Sequence, residues 1–279
     1  MHLNPWDITL LLVVSAQATL VAYARQPRTK ALLVTFPFPF SVAYLALGQP
    51  VDATNILGLA LLLLFIHGVR WLYVHGKRPI VLAIVGAACL YGLLGGAVAR
   101  MLPRQEWTFW TACAAVLAVG AVVLRFQPHR EEPSHRSSLP VYLKLPIIMA
   151  VVIGLILAKE WLRGFMTVFP MVTVVAAYES RHSLWTLTRQ FPVLILTMAP
   201  VMIAMHLAQP HTGPYGALAI GWLVFAGALP AVEWVKERHH GENRDACGRM
   251  CLTRPTGPTR PTSKPTTCNG EWNKRSGEL

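Results

Sequence analysis

The chain has 279 residues, of which 54% are hydrophobic and only 14% are charged, and its formal net charge is +12. A soluble domain has about 25% charged residues, so this composition argues against a soluble globular protein. The basic residues lie between apolar runs and not on one face of a polar domain, which argues against nucleic acid as a partner and favours the lipid bilayer.

Nine apolar runs follow one another along the chain, and most are near the length of about 20 residues that crosses a bilayer core of about 30 Å. Only helices suit such runs, because backbone groups in lipid must be hydrogen-bonded within the segment. The first run lacks the positive region of a secretory signal, which predicts an uncleaved span, and cleavage after the sequence SAQA at residues 15–18 is the alternative. The seventh is short, and it either crosses fully or is re-entrant. The predicted spans are residues 8–24, 31–48, 56–74, 79–99, 108–124, 141–158, 164–178, 191–208 and 214–235.

The Lys and Arg residues predict the orientation of these spans. With the N-terminus outside, 21 of the 25 basic residues fall in inner loops or the C-terminal tail, and four fall outside. Because basic residues are enriched in cytoplasmic loops, this distribution favours an outer N-terminus and a cytoplasmic C-terminus. An eight-span arrangement would place one of the basic loops on the wrong side.

Two Phe-Pro segments lie 133 positions apart and suggest an internal repeat. At this offset spans one to four fall on spans six to nine. An odd number of spans separates each span from its counterpart, so the halves would run in opposite directions, as in many transporters. Chance is the alternative, because these residue types are common in membrane helices. The matching residues are Phe36 with Phe169, Pro37 with Pro170, Val42 with Val175 and Ala43 with Ala176.

The predicted fold is therefore all-α, a polytopic membrane helical bundle of about nine transmembrane helices with an inverted 4+1+4 repeat. Residues 1–105 form the first four-span half, 106–140 the connecting span and its inner loop, and 141–238 the second half. Residues 239–279 form a basic tail rich in proline and threonine, a composition that predicts disorder.

The prolines of the repeat suggest a functional site. Proline removes an amide donor and clashes with the preceding turn, so these prolines are expected to kink or interrupt their helices. The carbonyl groups that they free need partners, and nearby hydroxyl side chains can supply them. Paired breaks form the substrate site in many transporters, whereas the alternative is a pair of kinks that only shape packing. The residues expected at the site are Thr35, Pro37, Pro39, Ser41, Thr167, Pro170 and Thr173.

One stretch, VFPMVTVVAAYESRHSLWTLTRQFPVL at residues 168–194, carries a Phe-Pro, then small and apolar residues, an aromatic near the span end and a basic loop. In these features it resembles the second and third spans of small four-span inner-membrane proteins of the GlpM type. The rest of the chain resembles that family in layout only. The resemblance implies a duplicated four-span unit in a bacterial inner membrane, and it implies no molecular activity because the family has no settled one.

The sequence contains few residues in patterns typical of catalysis or metal binding. No carboxylate or basic residue lies near the middle of a predicted span, which argues against a buried proton path. No paired acids, HExxH or GxSxG motif occurs, so no enzyme is expected, and neither a metal nor a cofactor is predicted. Glu179, Arg181 and His182 follow the seventh span, where they form either a polar inner mouth or a solvated loop.

The leading hypothesis is a transporter or channel-like carrier of a small solute, with its site at the paired breaks. The solute would be neutral or weakly polar, or an anion held by helix ends. The alternative, from a different class, is a membrane assembly or accessory protein without a transport path. The expected partners are the bilayer and this solute, and a homo-oligomer stays open. A polar cavity at the breaks would favour transport, whereas tight apolar packing there would favour the accessory role.

Overall fold

The computed structural model describes residues 5–24, 27–103, 105–127 and 162–252, and these residues form helices and turns without a strand. The all-α prediction is therefore confirmed for this part of the chain. A short 3-10 helix, Arg163–Val168, precedes α7. The α-helices are α1 Pro5–Tyr23, α2 Pro27–Thr35, α3 Phe38–Leu47, α4 Ala53–Val74, α5 Ile80–Met101, α6 Glu106–Phe126, α7 Met171–Glu179 and α8 Leu184–Leu252.

Five helices within the described residues are long and apolar enough to cross a membrane, namely α1, α4, α5, α6 and the part Leu184–Ala228 of α8. Their outer faces carry large apolar side chains, among them Leu93 at 64% exposure and Leu223 at 75%. Extended apolar surface of this kind suits contact with lipid. Two shorter apolar segments, Leu32–Leu47 and Gly164–Glu179, coincide with the predicted second and seventh spans.

Helix α8 is interrupted within its apolar part. Gly213 has φ 70° and ψ −178°, a conformation that glycine adopts without steric cost. The apolar part Leu184–Ala228 has 45 residues, or about 68 Å at 1.5 Å per residue, which is about twice the thickness of a bilayer core. The interruption falls between the predicted eighth and ninth spans.

Two predicted regions, the sixth span and the C-terminal tail, lie wholly or partly outside the residues that the structure describes. The sixth span, residues 141–158, lies within residues 128–161, which are outside the described part. Helix α8 ends at Leu252, so residues 239–252, expected to begin the disordered tail, are helical. No proline occurs in residues 231–252, and their Ala, Glu, Lys and Arg residues favour a helix. The rest of the tail, residues 253–279, also lies outside the described part.

The chain divides into two compact units, Met1–Leu229 and Pro230–Leu279, and the packing of interest belongs to the first. Helix α4 packs against α5, α6 and the 3-10 helix, while α1 packs against α3 and α7. Elements from before and after the connecting segment thus share one buried core. This arrangement brings the two Phe-Pro segments next to each other.

Candidate functional site

The first break separates α2 from α3. Helix α2 ends at Thr35 and α3 begins at Phe38, and Pro37 precedes its first turn at φ −81° and ψ 21°. Pro39 is the second residue of α3, where the N–H would have no intrahelical partner in any case. Pro37 therefore marks the interruption, whereas Pro39, also expected to interrupt the helix, fits within its start.

The second break separates the 3-10 helix from α7. The 3-10 helix ends at Val168 and α7 begins at Met171, and Pro170 precedes its first turn at φ −71° and ψ 44°. The Met171 N–H donates a bond of 2.7 Å to the carbonyl of Phe169, which closes a tight turn. Pro170 thus has the same position relative to α7 as Pro37 has relative to α3.

Hydroxyl side chains bond the backbone beside both breaks. The Thr35 and Thr167 hydroxyls each donate to the carbonyl three residues earlier, at 2.6 and 2.7 Å. The Ser41 hydroxyl donates to the carbonyl four residues earlier at 2.8 Å and accepts from the Trp222 indole N–H at 3.1 Å. These bonds add side-chain donors to backbone carbonyls beside the breaks, and the Pro37 carbonyl also accepts the Ser41 N–H at 2.9 Å.

A cavity of about 60 Å³ lies between the two breaks. It abuts Leu59 and Leu62 in the first half of α4. No charged side chain is among its lining residues, which are mainly apolar with three threonines. The lining residues are Val34, Thr35, Phe36, Pro37, Pro39, Phe40, Leu59, Leu62, Thr167, Val168, Phe169, Val172, Thr173, Leu194 and Met198.

The lining residues correspond to one another across the 133-position offset. Five pairs at this offset have both members on the cavity wall, and Phe36 with Phe169 is the identical pair. Besides Pro37, the remaining contributors come from α4 and α8, which contain the predicted third and eighth spans. The five pairs are Val34 with Thr167, Thr35 with Val168, Phe36 with Phe169, Pro39 with Val172 and Phe40 with Thr173.

The segments on either side of the breaks pack reciprocally. Helix α2, before the first break, packs against α7, which follows the second break. Helix α3, after the first break, packs against the 3-10 helix, which precedes the second. The Phe36 ring lies 6.0 Å from that of Phe225 in α8, and the Phe169 ring lies 5.0 Å from that of Tyr91 in α5. These partners fall in the predicted ninth and fourth spans, which are themselves counterparts.

Gln17, which the sequence analysis missed, bonds the first break. Its side chain lies in α1, is 5% exposed, and donates from Nε2 to the Leu33 carbonyl at 2.6 Å and to the Phe36 carbonyl at 3.4 Å. Both acceptors belong to the end of α2 and the break itself. The sequence does contain a signal for this contact, which is a polar amide in the middle of the predicted first span.

Asn55, also missed, bonds the segment before the second break. Its Nδ2 donates to the Thr167 hydroxyl at 2.9 Å and to the Gly164 carbonyl at 3.4 Å. Its Oδ1 accepts from the Asp52 N–H at 2.8 Å, as the third residue of a capping box at the start of α4. The approach requires glycine at position 164, because a Cβ there would lie 2.8 Å from Asn55 Cγ.

The remaining predicted site residues lie apart from the cavity wall. Ser41 and Pro170 flank it without lining it. Glu179 is the last residue of α7 and is 1% exposed, while His182 is exposed in the turn that follows. The Arg181 guanidinium lies 5.3 Å from the Tyr178 ring centre, and its Nε is 3.2 Å from His182 Nε2. The three residues of the predicted inner mouth are therefore neighbours of one another, and none of them lines the cavity.

No group of three His, Cys, Asp or Glu side chains in the described part of the chain is arranged to hold a metal ion. The chain matches no family model, no curated protein and no solved structure. The likeness to GlpM-type proteins accordingly stays a prediction.

Proposed function

We propose that this chain is a membrane carrier or channel-like protein for a small solute, and that the solute site is the cavity between the two Phe-Pro breaks. The proposed architecture has nine spans in an inverted 4+1+4 repeat, with the N-terminus outside. The observation that carries the proposal is the cavity wall, because five of its residue pairs are related by the 133-position offset. Inverted-repeat transporters have their sites at the interface of the halves and near the midplane, and the cavity between the breaks would correspond to such a site.

The reciprocal packing supports the inverted repeat. The part of each segment that precedes its break packs against the part of the other segment that follows its break. Segments that pack in this way run in opposite directions, as inverted halves would. The aromatic contacts of Phe36 and Phe169 are also paired across the predicted halves. The Phe36 ring contacts the predicted ninth span, and the Phe169 ring contacts the predicted fourth span, so each contacts the last span of the opposite half.

The cavity limits the class of solute. Its volume of about 60 Å³ is above the roughly 10–15 Å³ that one water needs but below the roughly 300–1,000 Å³ of typical ligand pockets. Without charged lining residues it suits a small neutral or weakly polar molecule. Helices α3 and α7 both begin at the cavity, and their N-terminal dipoles would favour the electron-rich end of such a molecule. Larger solutes would require the breaks to move apart.

The test is solute flux into vesicles that contain the purified protein, with glycerol, urea and formate as probes. We expect at least one probe to enter faster than it enters empty vesicles. Pro37→Ala and Pro170→Ala should each slow this flux by about tenfold, the effect of about 1.4 kcal/mol on a barrier. Pro50→Ala, in the exposed connection between α3 and α4, is the matched control and should leave the flux unchanged.

A second candidate function is a membrane assembly or accessory role, which the small and mainly apolar cavity favours. Flux of all three probes at the empty-vesicle rate would favour this role over transport. If the protein transports a probe but Pro37→Ala and Pro170→Ala behave like Pro50→Ala, the site is elsewhere. Reporter fusions at residues 50, 130, 185 and 211 test the architecture, with residues 50 and 211 expected outside and 130 and 185 inside.

A further inference from the structure

We propose that four aromatic rings form a lateral gate between the cavity and the lipid, and that the solute which passes this gate is uncharged and soluble in the bilayer. The four residues are Phe36, Phe38, Trp222 and Phe225, and together they are the aromatic gate. The passage of a solute through it rests on the proposed function. The gate itself, as the side on which the cavity opens, does not.

The rings of the aromatic gate contact one another in a closed circuit. Between ring centres, Phe36 lies 5.9 Å from Phe38 and 6.0 Å from Phe225. Trp222 lies 5.0 Å from Phe38 and 5.9 Å from Phe225. Two of the rings belong to the first break and the start of α3, and the other two belong to the part of α8 that follows Gly213. The gate is therefore a contact between two segments that are far apart in the sequence.

The circuit reaches from the cavity to the outer face of the bundle. Phe36 lines the cavity, and the ring of Phe38 stacks on it with an angle of 10° between the two planes. Phe38 is 48% exposed, and Leu223, which follows Trp222 in α8, is also exposed. Because such apolar surface suits contact with lipid, the path from the cavity to the lipid crosses two stacked rings.

The position of Trp222 is unusual for a tryptophan in a membrane helix. It lies near the middle of the predicted ninth span, residues 214–235. Tryptophan is enriched at the two surfaces of a membrane, where its polar N–H is close to water. Here the N–H instead donates to Ser41 Oγ at 3.1 Å, just after the first break. This bond holds the indole ring over the break.

The corresponding surface at the second break is closed by tighter packing. Met171, the counterpart of Phe38 at the 133-position offset, is only 3% exposed. A Cβ at position 95 would lie 3.2 Å from the Phe165 ring, so α5 approaches the 3-10 helix closely at Gly95. Tyr91 also donates to the Phe165 carbonyl at 3.0 Å. We therefore assign the opening to the first break, where side-chain rings cover the cavity.

The chemistry of this path selects the solute. Among the four rings the one polar atom is the Trp222 indole nitrogen, and its hydrogen is bonded to Ser41. A charged solute on this path would lose its hydration without gaining a partner, which is far more costly than burial of a neutral group. Inside the cavity, the hydroxyl hydrogens of Thr35 and Thr167 are bonded to backbone carbonyls. These two side chains offer acceptors only, so the solute is expected to be uncharged and weakly polar.

The first measurement is the modification rate of a cysteine on the cavity wall. The chain is placed in lipid nanodiscs, which leave both water faces accessible, with its five native cysteines replaced by alanine and Val172→Cys as the thiol. The reagents are methyl methanethiosulfonate, which is uncharged, and its trimethylammonium-ethyl analogue, which is charged. Relative to a free thiol in water, we expect the uncharged reagent to react faster by about tenfold or more, the effect of about 1.4 kcal/mol on a barrier. Equal relative rates would overturn the lateral path, because water would then reach the cavity.

Trp222→Ala tests the gate in the same cysteine background. It removes two ring contacts of about 0.5–1.5 kcal/mol each, so the uncharged reagent should react about tenfold faster than with the parent chain. Leu223→Ala, at the exposed neighbouring position, is the matched control and should leave the rate unchanged. Trp222→Phe keeps an aromatic ring without the bond to Ser41 and should give an intermediate rate, which decides the matter if the alanine variant does not fold. Rates for the Trp222 variants no higher than that for Leu223→Ala would overturn the gate.

The modification rates and the flux measurement fail independently. If no probe enters vesicles but Trp222→Ala speeds the modification, the proposed function fails and the gate stands. If a probe enters and the Trp222 variants leave the modification rate unchanged, transport does not use the aromatic gate. Entry of formate, which is ionised at neutral pH, as fast as that of urea would overturn the assignment of an uncharged solute.

Discussion

Asn55 and Thr167 lie 112 positions apart in the sequence and are joined by a buried hydrogen bond of 2.9 Å from the amide nitrogen to the hydroxyl oxygen. The bond ties the first turn of α4 to the short 3-10 helix that precedes the second Phe-Pro break. Because Thr167 also bonds the carbonyl of Gly164 and lines the cavity, this contact fixes one wall of the candidate site. Its removal is therefore the most direct test of how that wall is held.

Asn55→Leu should destabilise the protein, since it removes the donor to Thr167 and the acceptor for the Asp52 N–H. We expect a loss of about 1–2 kcal/mol in the free energy of unfolding, the usual cost of a buried hydrogen bond with one partner deleted. Unfolding in detergent, followed by circular dichroism, measures it. Thr111→Val on the exposed face of α6 removes a hydroxyl that bonds only its own helix and should change little. Equal effects of the two substitutions would contradict the role given to Asn55.

Gly164→Ala should be destabilising because the new Cβ would overlap the Thr54 hydroxyl and the Asn55 side chain. Overpacking of this kind costs about 1–3 kcal/mol. Gly227→Ala is the matched control, since a Cβ at position 227 meets no atom within 4 Å and alanine favours a helix by about 0.5–1 kcal/mol over glycine. The melting temperature should fall for the first variant and stay level or rise for the second. A rise in both would show that the 3-10 helix can move away from α4.

Local chemistry predicts where the helices of this chain stop. Pro37 and Pro170 each precede the first turn of a helix, as expected from the missing N–H and the clash with the preceding turn. Pro39 shows the limit of that argument, because its effect depends on its position within α3 and not on its presence. A proline two residues into a helix lies where the amide is not needed, and the sequence does not state in advance which residue begins the helix.

The polar contacts that hold the breaks could not be predicted in the same way. Gln17 and Asn55 carry no charge, so the rule that an ionisable group inside a span marks a functional site does not select them. Asn55 also lies one residue before the predicted third span, at residues 56–74, and so outside the predicted membrane segments. Its bond to Thr167 depends on how α4 packs against the 3-10 helix, and such tertiary contacts leave no local pattern in a single sequence.

Gln17→Leu tests the corresponding support of the first break. The substitution keeps the size of the side chain approximately but removes the donor to the Leu33 and Phe36 carbonyls. We expect a loss of about 1 kcal/mol in stability and faster hydrogen exchange in residues 36–44, because the break loses its bond to α1. Thr9→Val, also in α1, removes a hydroxyl that bonds only its own helix and is the control. Unaltered exchange at residues 36–44 in Gln17→Leu would show that the break is held without the amide.

Tyr91→Phe separates the hydrogen bond at the second break from the aromatic packing there. The Tyr91 hydroxyl donates to the Phe165 carbonyl at 3.0 Å, while its ring meets the edge of Phe169 at a centroid distance of 5.0 Å. Phenylalanine keeps the ring and deletes the donor, so stability should fall by about 1 kcal/mol, with the carbonyl left without that bond. Tyr215→Phe, an exposed tyrosine packed beside Trp6, should have no measurable effect. The two variants could instead lower the melting temperature equally. That result would mean that packing alone holds the 3-10 helix against α5.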